Sequence, residues 1–203
     1  RHAPLLKAAA PHIAHRAIRN SGTWGGSIAY GDPAAEWPCC LVALDGVVHV
    51  QGPQGARRIA ATDFFQDLYT TALQPDELVT GADLPVAARG DWFGFDELSR
   101  RHGDYAVAGL AVAARFDGAV ATRVNLGFLG VGATPLRPRR TEALLSGQVL
   151  DAAAIEAAAA TLKAELDPVG DLTSNADTKR HLASVLLTRL LGAARAGRTA
   201  LAA

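Results

Sequence analysis

The chain has 203 residues, 20 acidic and 20 basic side chains, and a formal net charge of zero. This length can bury a core as one domain or two small ones, and the neutral balance argues against a nucleic-acid-binding surface. No apolar run is long enough for a transmembrane helix, and no leader resembles a signal peptide. The adjacent Cys39 and Cys40 fit neither a disulfide framework nor a Cys-x-x-Cys metal pair. We interpret them as small buried side chains of a cytoplasmic protein.

The first predicted element is a short helix over residues 4–15, with His12 and His15 near its end. These two histidines could share one face of the helix as metal ligands. A metal site usually needs three or four ligands, and no nearby carboxylate or thiolate completes the set. No metal site is therefore predicted.

A glycine-rich stretch follows, in which Thr23 and Ser27 flank Trp24, Gly25 and Gly26. Glycine loses the most backbone freedom on folding, so clustered glycines favour a tight turn or a close approach to a ligand. The amides of Gly25, Gly26 and Ser27 could form a nest for an anion such as a pyrophosphate. The alternative is a turn that binds nothing. The spacing Gly-x-x-Gly-Gly matches neither the P-loop nor the Gly-x-Gly-x-x-Gly fingerprint.

The next segments predict a small α+β lobe. Asp32 and Pro33 indicate a helix start, and Glu36 in its first turn would complement the positive end of the helix dipole. The predicted elements are a helix over 33–44, strands over 47–51, 57–59 and 78–84, and a helix over 61–68 capped by Thr62. A linker over 87–91 would lead into a second lobe.

The second lobe is predicted to be an antiparallel sheet with packed helices. Asp117 and Gly118 stand between two alternating apolar runs, 109–116 and 119–131, which predicts a tight hairpin. Helices are predicted over 139–146, over 152–165 with Asp151 as the cap, and over 176–195 with a capping box from Ser174 to Asp177. The leucine stripe of the last helix is interpreted as a packing surface.

Four motifs in this order resemble the FAD-carrying medium subunit of molybdenum hydroxylases, the family of aerobic carbon monoxide dehydrogenase and xanthine dehydrogenase-like enzymes. They are Ile18–Ser27 with Asp32–Glu36, Tyr69–Leu78, Phe95–Ala106 and Ala176–Leu182. The resemblance implies that residues 1–88 are the second half of a vanillyl-alcohol-oxidase-type FAD-binding domain, and residues 89–203 a C-terminal domain. The family's Ala-Gly-Gly-x-Ser loop does not occur here, and the chain lacks methionine. We therefore expect a fragment, a processed chain or an incomplete one.

The resemblance also implies roles for individual residues toward FAD. Thr23, Gly25, Gly26 and Ser27 would hold the pyrophosphate, and Glu36 would accept a hydrogen bond from the ribityl chain. Asp104 and Tyr105 would lie near the isoalloxazine ring, and Arg101 would pair with a carboxylate or face a partner subunit. The complete predicted cofactor-binding set is Thr23, Trp24, Gly25, Gly26, Ser27, Asp32, Glu36, Val79, Asp104 and Tyr105. Within it Val79 is an apolar backstop, and Trp24 replaces the branched aliphatic residue usual in the family.

The function that this resemblance implies is electron transfer. FAD would collect electrons from iron–sulfur clusters on a small subunit, after substrate oxidation at a molybdenum cofactor on a large subunit, and pass them to an external acceptor. A dimer of heterotrimers is expected, and no catalytic side chain is predicted. One alternative is an assembly module of such a complex that no longer binds FAD. Another is an unrelated small α+β binding protein with a fortuitous glycine turn.

Overall fold

The computed structural model describes residues 2–101 and 103–199, which form two adjoining lobes. The first lobe holds five helices and five strands: α1 Pro4–Ala9, α2 Arg16–Ser21, α3 Trp24–Tyr30, α4 Glu36–Ala43, β1 Val47–Gly52, β2 Gly55–Ala60, α5 Ala61–Phe64, β3 Phe65–Asp67, β4 Thr70–Thr71 and β5 Leu78–Asp83. The second lobe holds β6 Asp91–Ser99, β7 Ala106–Asp117, β8 Val120–Leu129, α6 Arg139–Leu145, β9 Gln148–Val149, α7 Ala152–Glu165 and α8 Ala176–Thr199. No helix within the described residues is long and apolar enough to cross a membrane.

The first lobe is built on a three-stranded antiparallel sheet in the order β2-β1-β5. Val48 and Val50 alternate inward from β1 and are buried with Ile28 of α3 and Phe64 of α5. Strands β3 and β4 form a separate antiparallel pair. The strands predicted over 47–51 and 57–59 are confirmed as β1 and β2, which pair antiparallel around a turn at residues 52–55.

The second lobe is an antiparallel sheet in the order β6-β7-β8-β9, with helices on both faces. Leu110 and Val112 of β7 point to one face, where they pack with α7 and α8. Ala111 and Ala113 point to the other face, where they pack with α1 and α4 of the first lobe. The predicted hairpin is confirmed, with Gly118 at a positive φ of 55° in its turn.

Helix α4 joins the two lobes by lying directly on the second sheet. The Cys39 thiol donates a hydrogen bond to the Gly127 carbonyl of β8, at 2.9 Å between Sγ and O. A Cβ on Gly127 would lie 2.5 Å from the Cys39 carbonyl oxygen, so only glycine permits this approach. Cys39 and Cys40 are fully buried, and burial raises the pKa of both thiols. Their interpretation as small core residues is confirmed.

Several predicted element boundaries are wrong. The predicted helix over 4–15 ends at Ala9, and a second helix, α2, begins at Arg16. Thr62 does not cap α5, whose capping position is Ala60, and the chain returns to a strand at Phe65. The capping side chain of α8 is Asn175 rather than Ser174, since Asn175 Oδ1 accepts from the Thr178 amide at 2.8 Å. Only in the last case does a neighbouring side chain of similar chemistry take over the predicted cap.

Candidate functional site

The glycine-rich stretch is the first turn of helix α3, rather than a tight turn or an isolated loop. Thr23 is extended and caps the helix, since its Oγ1 accepts a hydrogen bond from the Gly26 amide at 3.0 Å. The Ser27 amide donates to the Thr23 carbonyl at 3.2 Å. Two of the three amides proposed for the nest are therefore engaged by Thr23. The amides of Trp24 and Gly25 belong to the helix start, where no preceding helical carbonyl can accept them.

The side of the helix at Gly25 faces open space. A Cβ built on Gly25 meets no heavy atom within 4 Å, whereas one on Gly26 would lie 2.8 Å from the Thr23 hydroxyl. Trp24 packs with Val79 against the core of the first lobe. Its indole Nε1 is buried and has no hydrogen-bond partner among the described residues. The open side at Gly25 is therefore the feature of this end of α3 that leaves room for a ligand.

The opposite end of α3 leads to Asp32, which does not start a helix as predicted. Its Oδ1 accepts from the Ala34 amide at 2.8 Å and closes a single turn. Helix α4 begins only at Glu36, because the Pro33 carbonyl is instead committed to the Gly130 amide of the second lobe at 2.9 Å. Asp32 is buried, and its negative charge is the main cause that raises the pKa of the phenols of Tyr69 and Tyr105.

A cleft of about 680 Å³ opens between the lobes beside Asp32. The first lobe contributes Asp32, Pro33, Ala34, Leu68 and Tyr69, and the second contributes Arg100, residues 104–107, Gly130, Gly132, Ala133, residues 169–171, Thr173 and Lys179. Tyr105 is 76% exposed at this cleft. The Tyr30 and Tyr69 rings lie 5.1 Å apart between centroids. The cleft is therefore lined by aromatic, apolar and charged groups.

The predicted site residues fall into two groups on this surface. Thr23, Trp24, Gly25, Gly26 and Ser27 lie at or near the N-terminus of α3, and Val79 packs against the same hydrophobic cluster as Trp24. Asp32, Asp104 and Tyr105 meet at the cleft. The two groups lie toward opposite ends of α3, whose seven residues span about 10 Å at about 1.5 Å each. Glu36 is not part of the cleft wall; it begins α4 beside a buried carboxylate, Glu97.

Two charged clusters lie outside the predicted set. Glu97 is buried near Glu36, and its Oε2 has no hydrogen-bond partner within the described part of the chain. Burial, with the nearby charges of Glu36 and Asp96, raises the pKa of Glu97 to about 8.

The second cluster pairs Lys179 with Asp171 in the cleft wall, at 2.8 Å between Nζ and Oδ2. Sequence patterns missed both, since a lysine on a helix and a glutamate on a strand usually face solvent.

Arg101 forms no ion pair among the described residues, although its carbonyl accepts hydrogen bonds from Ser99 Oγ and the Asp104 amide. Its predicted pairing with a carboxylate is therefore not seen within the described part of the chain. No three His, Cys, Asp or Glu side chains are grouped as a metal centre would require within residues 2–101 and 103–199.

Comparison with known families identifies both lobes. Residues 1–87 match the FAD binding domain in molybdopterin dehydrogenase, and residues 93–194 match the CO dehydrogenase flavoprotein C-terminal domain. The chain is 37% identical over 191 residues to the nicotine 6-hydroxylase medium subunit of Paenarthrobacter nicotinovorans, covering 94% of this chain and 67% of that protein. It is 34% identical over 193 residues to the carbon monoxide dehydrogenase medium chain of Afipia carboxidovorans, covering 95% and 67%.

The fold is also similar to that of a solved complex. One chain of carbon monoxide dehydrogenase from Hydrogenophaga pseudoflava superimposes with a TM-score of 0.92 at 36% identity, covering 96% of this chain and 68% of that chain. The present chain thus spans about two thirds of the length of these relatives. The similarity extends through both lobes.

Proposed function

This chain belongs to the FAD-binding medium subunits of the molybdenum hydroxylase and carbon monoxide dehydrogenase family, and from that premise we propose that it transfers electrons through FAD inside a larger complex. Its class is that of an oxidoreductase flavoprotein subunit. In the proposed route, this chain would hold the FAD through which electrons pass from iron–sulfur clusters of a partner to an external acceptor. Bound FAD supplies the chemistry of accepting and releasing an electron pair, which amino-acid side chains do not provide.

The residues present fit one face of this cofactor. Open space beside Gly25 and the amides at the start of α3, which no helical carbonyl accepts, suit an oxygen-rich diphosphate. The aromatic cleft toward the opposite end of α3 suits a planar ring, with the ribityl chain running between. The spacing of these two subsites along one helix is the observation that carries the proposal.

Each group then has a role in binding and orientation. The Gly25 amide and the hydroxyls of Thr23 and Ser27 hold the diphosphate end, and Gly26, whose amide donates to Thr23, fixes the shape of the helix start. Trp24 and Val79 form the apolar wall behind it, and Asp32 and Glu36 accept hydrogen bonds from ribityl hydroxyls.

Asp104 and Tyr105 border the ring. The charge of Asp32 raises the pKa of Tyr105, so this phenol stays protonated at neutral pH and can donate a hydrogen bond.

The partners proposed for this subunit follow from the names of its relatives. Relatives called medium subunit and medium chain imply a larger and a smaller partner, for which we propose a molybdenum-cofactor subunit and an iron–sulfur subunit. We further propose a dimer of heterotrimers in the cytoplasm. The alternative, an assembly module without FAD, predicts a colourless chain that still joins these partners.

The decisive substitution is Gly25→Ala in the chain purified with its partners. The added methyl meets nothing in the protein, so the fold should keep its stability or gain about 0.5 kcal/mol from better helix propensity. The methyl would occupy the space proposed for the diphosphate. We expect FAD affinity to fall by about tenfold or more, measured by flavin absorbance and titration of the stripped protein.

Gly192→Ala in α8 is the matched control, because its added methyl also meets no atom within 4 Å. It should gain similar helix stability and bind FAD like the wild type. Equal FAD affinity in both variants would contradict a diphosphate beside Gly25. A wild-type complex that assembles without a flavin absorbance band would favour the assembly module instead.

A further inference from the structure

One wall of the cleft is an irregular segment between α7 and α8. Val169, Gly170, Asp171 and Thr173 of this segment line the cleft, and Val169 and the neighbouring Leu172 are strongly exposed. Irregular backbone of this kind depends on side-chain hydrogen bonds for its shape, since no helix or strand ladder supports it. The shape of this wall is therefore set by a few polar contacts.

The Asp171 carboxylate is the centre of those contacts. Its Oδ1 accepts from the Thr173 amide at 2.7 Å, the Thr173 hydroxyl at 2.6 Å and the Ser174 amide at 3.0 Å. The Asp171 amide donates to the Ser174 carbonyl at 2.9 Å. Its Oδ2 pairs with Lys179 Nζ, and this pair together with the Thr173 bonds holds the pKa of Asp171 well below its usual range. One carboxylate thus orders the segment and ties it to α8.

Lys179, the partner of Asp171 in this ion pair, is itself held firmly by the fold. It lies in the second turn of α8, is only 8% exposed, and lines the cleft itself. Two turns further along, Leu186 and Leu187 anchor the helix in the core of the second lobe. A lysine removed from water in this way is costly unless a carboxylate compensates it, and Asp171 does so. The pair adds no net charge to the cleft.

We propose that Lys179 is a positioning residue for the flavin ring, holding the Val169–Asp171 wall in place and cancelling the charge of Asp171 in the cleft that Tyr105 also lines. This inference rests on the proposed function, since the ring must occupy that cleft. Loss of either partner leaves a single uncompensated charge beside the ring. A negative charge disfavours the electron-rich reduced flavin, and a positive charge favours it.

The test uses the assembled complex and the reduction potential of its flavin. Lys179→Met leaves Asp171 unpaired, so the potential should shift downward. Asp171→Asn leaves the Lys179 ammonium unpaired, so the reduction potential of the flavin should shift upward. Lys179→Arg keeps the charge and should restore the wild-type value. A purely structural role would not move the potential in opposite directions for the two partners.

Arg180→Met is the matched control. Arg180 is the next residue of α8 and binds the start of the same segment through the Leu166 carbonyl and Asp167, but it does not line the cleft. Its loss should leave the potential unchanged. Amide hydrogen exchange at residues 171–174 should accelerate in Lys179→Met. This measurement checks whether the ion pair between Lys179 and Asp171 orders the segment.

The outcomes separate the two proposals. A wild-type complex that contains FAD, with the same potential in all variants or with shifts of one sign, would overturn the role of Lys179 while leaving the flavin proposal intact. A wild-type complex without FAD would overturn the proposed function and this inference with it.

Discussion

Glu97 is a carboxyl group surrounded by groups that disfavour its ionised form. It is buried, Glu36 and Asp96 add negative charge nearby, and burial is the largest cause of its raised pKa. His12, in the turn between α1 and α2, approaches one carboxylate oxygen, at 3.9 Å between Nδ1 and Oε1. The ring of His12 packs edge-on against Phe95. The free energy of unfolding should therefore depend on the protonation of Glu97 on β6.

The prediction concerns stability between pH 5 and pH 9. The pKa of Glu97 rises from an ordinary 4.5 to about 8, so the folded chain binds a proton that the unfolded chain lacks in this range. Unfolding free energy should therefore fall as pH rises from 5 to 8. Glu97→Gln should remove this loss and be more stable above pH 8 by up to a few kcal/mol, at about 1.4 kcal/mol per pKa unit.

Urea unfolding at a series of pH values measures this difference. Glu156→Gln, an exposed carboxyl on α7, is the control and should follow the wild-type pH profile. Parallel pH profiles for Glu97→Gln and the wild type would show that Glu97 ionises normally in the folded chain.

Sequence patterns located the residues of the glycine stretch but not their conformation. Thr23 followed by glycines is compatible with a turn or with a capped helix, because glycine populates both. The helix is decided by tertiary packing of Trp24 and Ile28 on the first sheet. Lys179 could not be found at all, since its pairing with Asp171 depends on where the α7–α8 connection folds back.

At the scale of elements, a buried ion network fixes α6 against β8 and the end of α4. Arg137 is 4% exposed at its side chain and makes a two-point contact with Glu142, at 2.8 Å and 2.9 Å. The Nη1 atom of Arg137 pairs with the carboxylate of Asp45, which belongs to the first lobe. Glu142 Oε1 also accepts from the Leu126 amide at 2.7 Å. The network therefore spans both lobes, and Glu142 depends on Arg137 for its charge balance.

Arg137→Met should destabilise the chain by about 3–5 kcal/mol, because it leaves the buried Glu142 uncompensated. Arg139→Met is the matched control: Arg139 contacts the same carboxylate at 3.3 Å, but its side chain is 58% exposed. Loss of the Arg139 guanidinium should lower the free energy of unfolding by about 1 kcal/mol or less. Urea denaturation measures both values, and equal losses would mean that burial of Arg137 contributes nothing.

Elements with repeated local signals were predicted well. The β7–β8 hairpin combines two long apolar strands of 12 and 10 residues with an Asp-Gly turn, and Asp151 caps α7 as expected, since its Oδ1 accepts from the Ala154 amide at 2.8 Å. The start of α4 was misplaced because Asp32 offers the same capping chemistry to a single turn. Long-range bonds such as that from Gly130 to Pro33 decide the outcome, and no local pattern encodes them.

At the scale of the molecule, the predicted boundary between residues 88 and 89 divides two lobes that share one core. Leu5, Cys39 and Cys40 of the first lobe are buried in the same cluster as Ala111 and Leu129 of the second. If either lobe unfolded, the apolar side chains that the other lobe contributes to this cluster would be exposed to water. The cleft that we assign to the flavin ring lies on the same junction, so its geometry depends on both lobes remaining docked.

We therefore expect this chain to unfold as one cooperative unit. Trp24 and Trp37 report on the first lobe, and Trp92 reports on the second. Two variants are needed, one with Trp92→Phe and one with both Trp24→Phe and Trp37→Phe. In each, denaturant unfolding is followed by tryptophan fluorescence and by far-ultraviolet circular dichroism of the same sample. Within each variant, fluorescence and dichroism should give the same denaturant midpoint, because the shared core couples the lobes. A fluorescence midpoint that departs from the dichroism midpoint in either variant would show that the lobes unfold separately and that the cleft can open without loss of either fold.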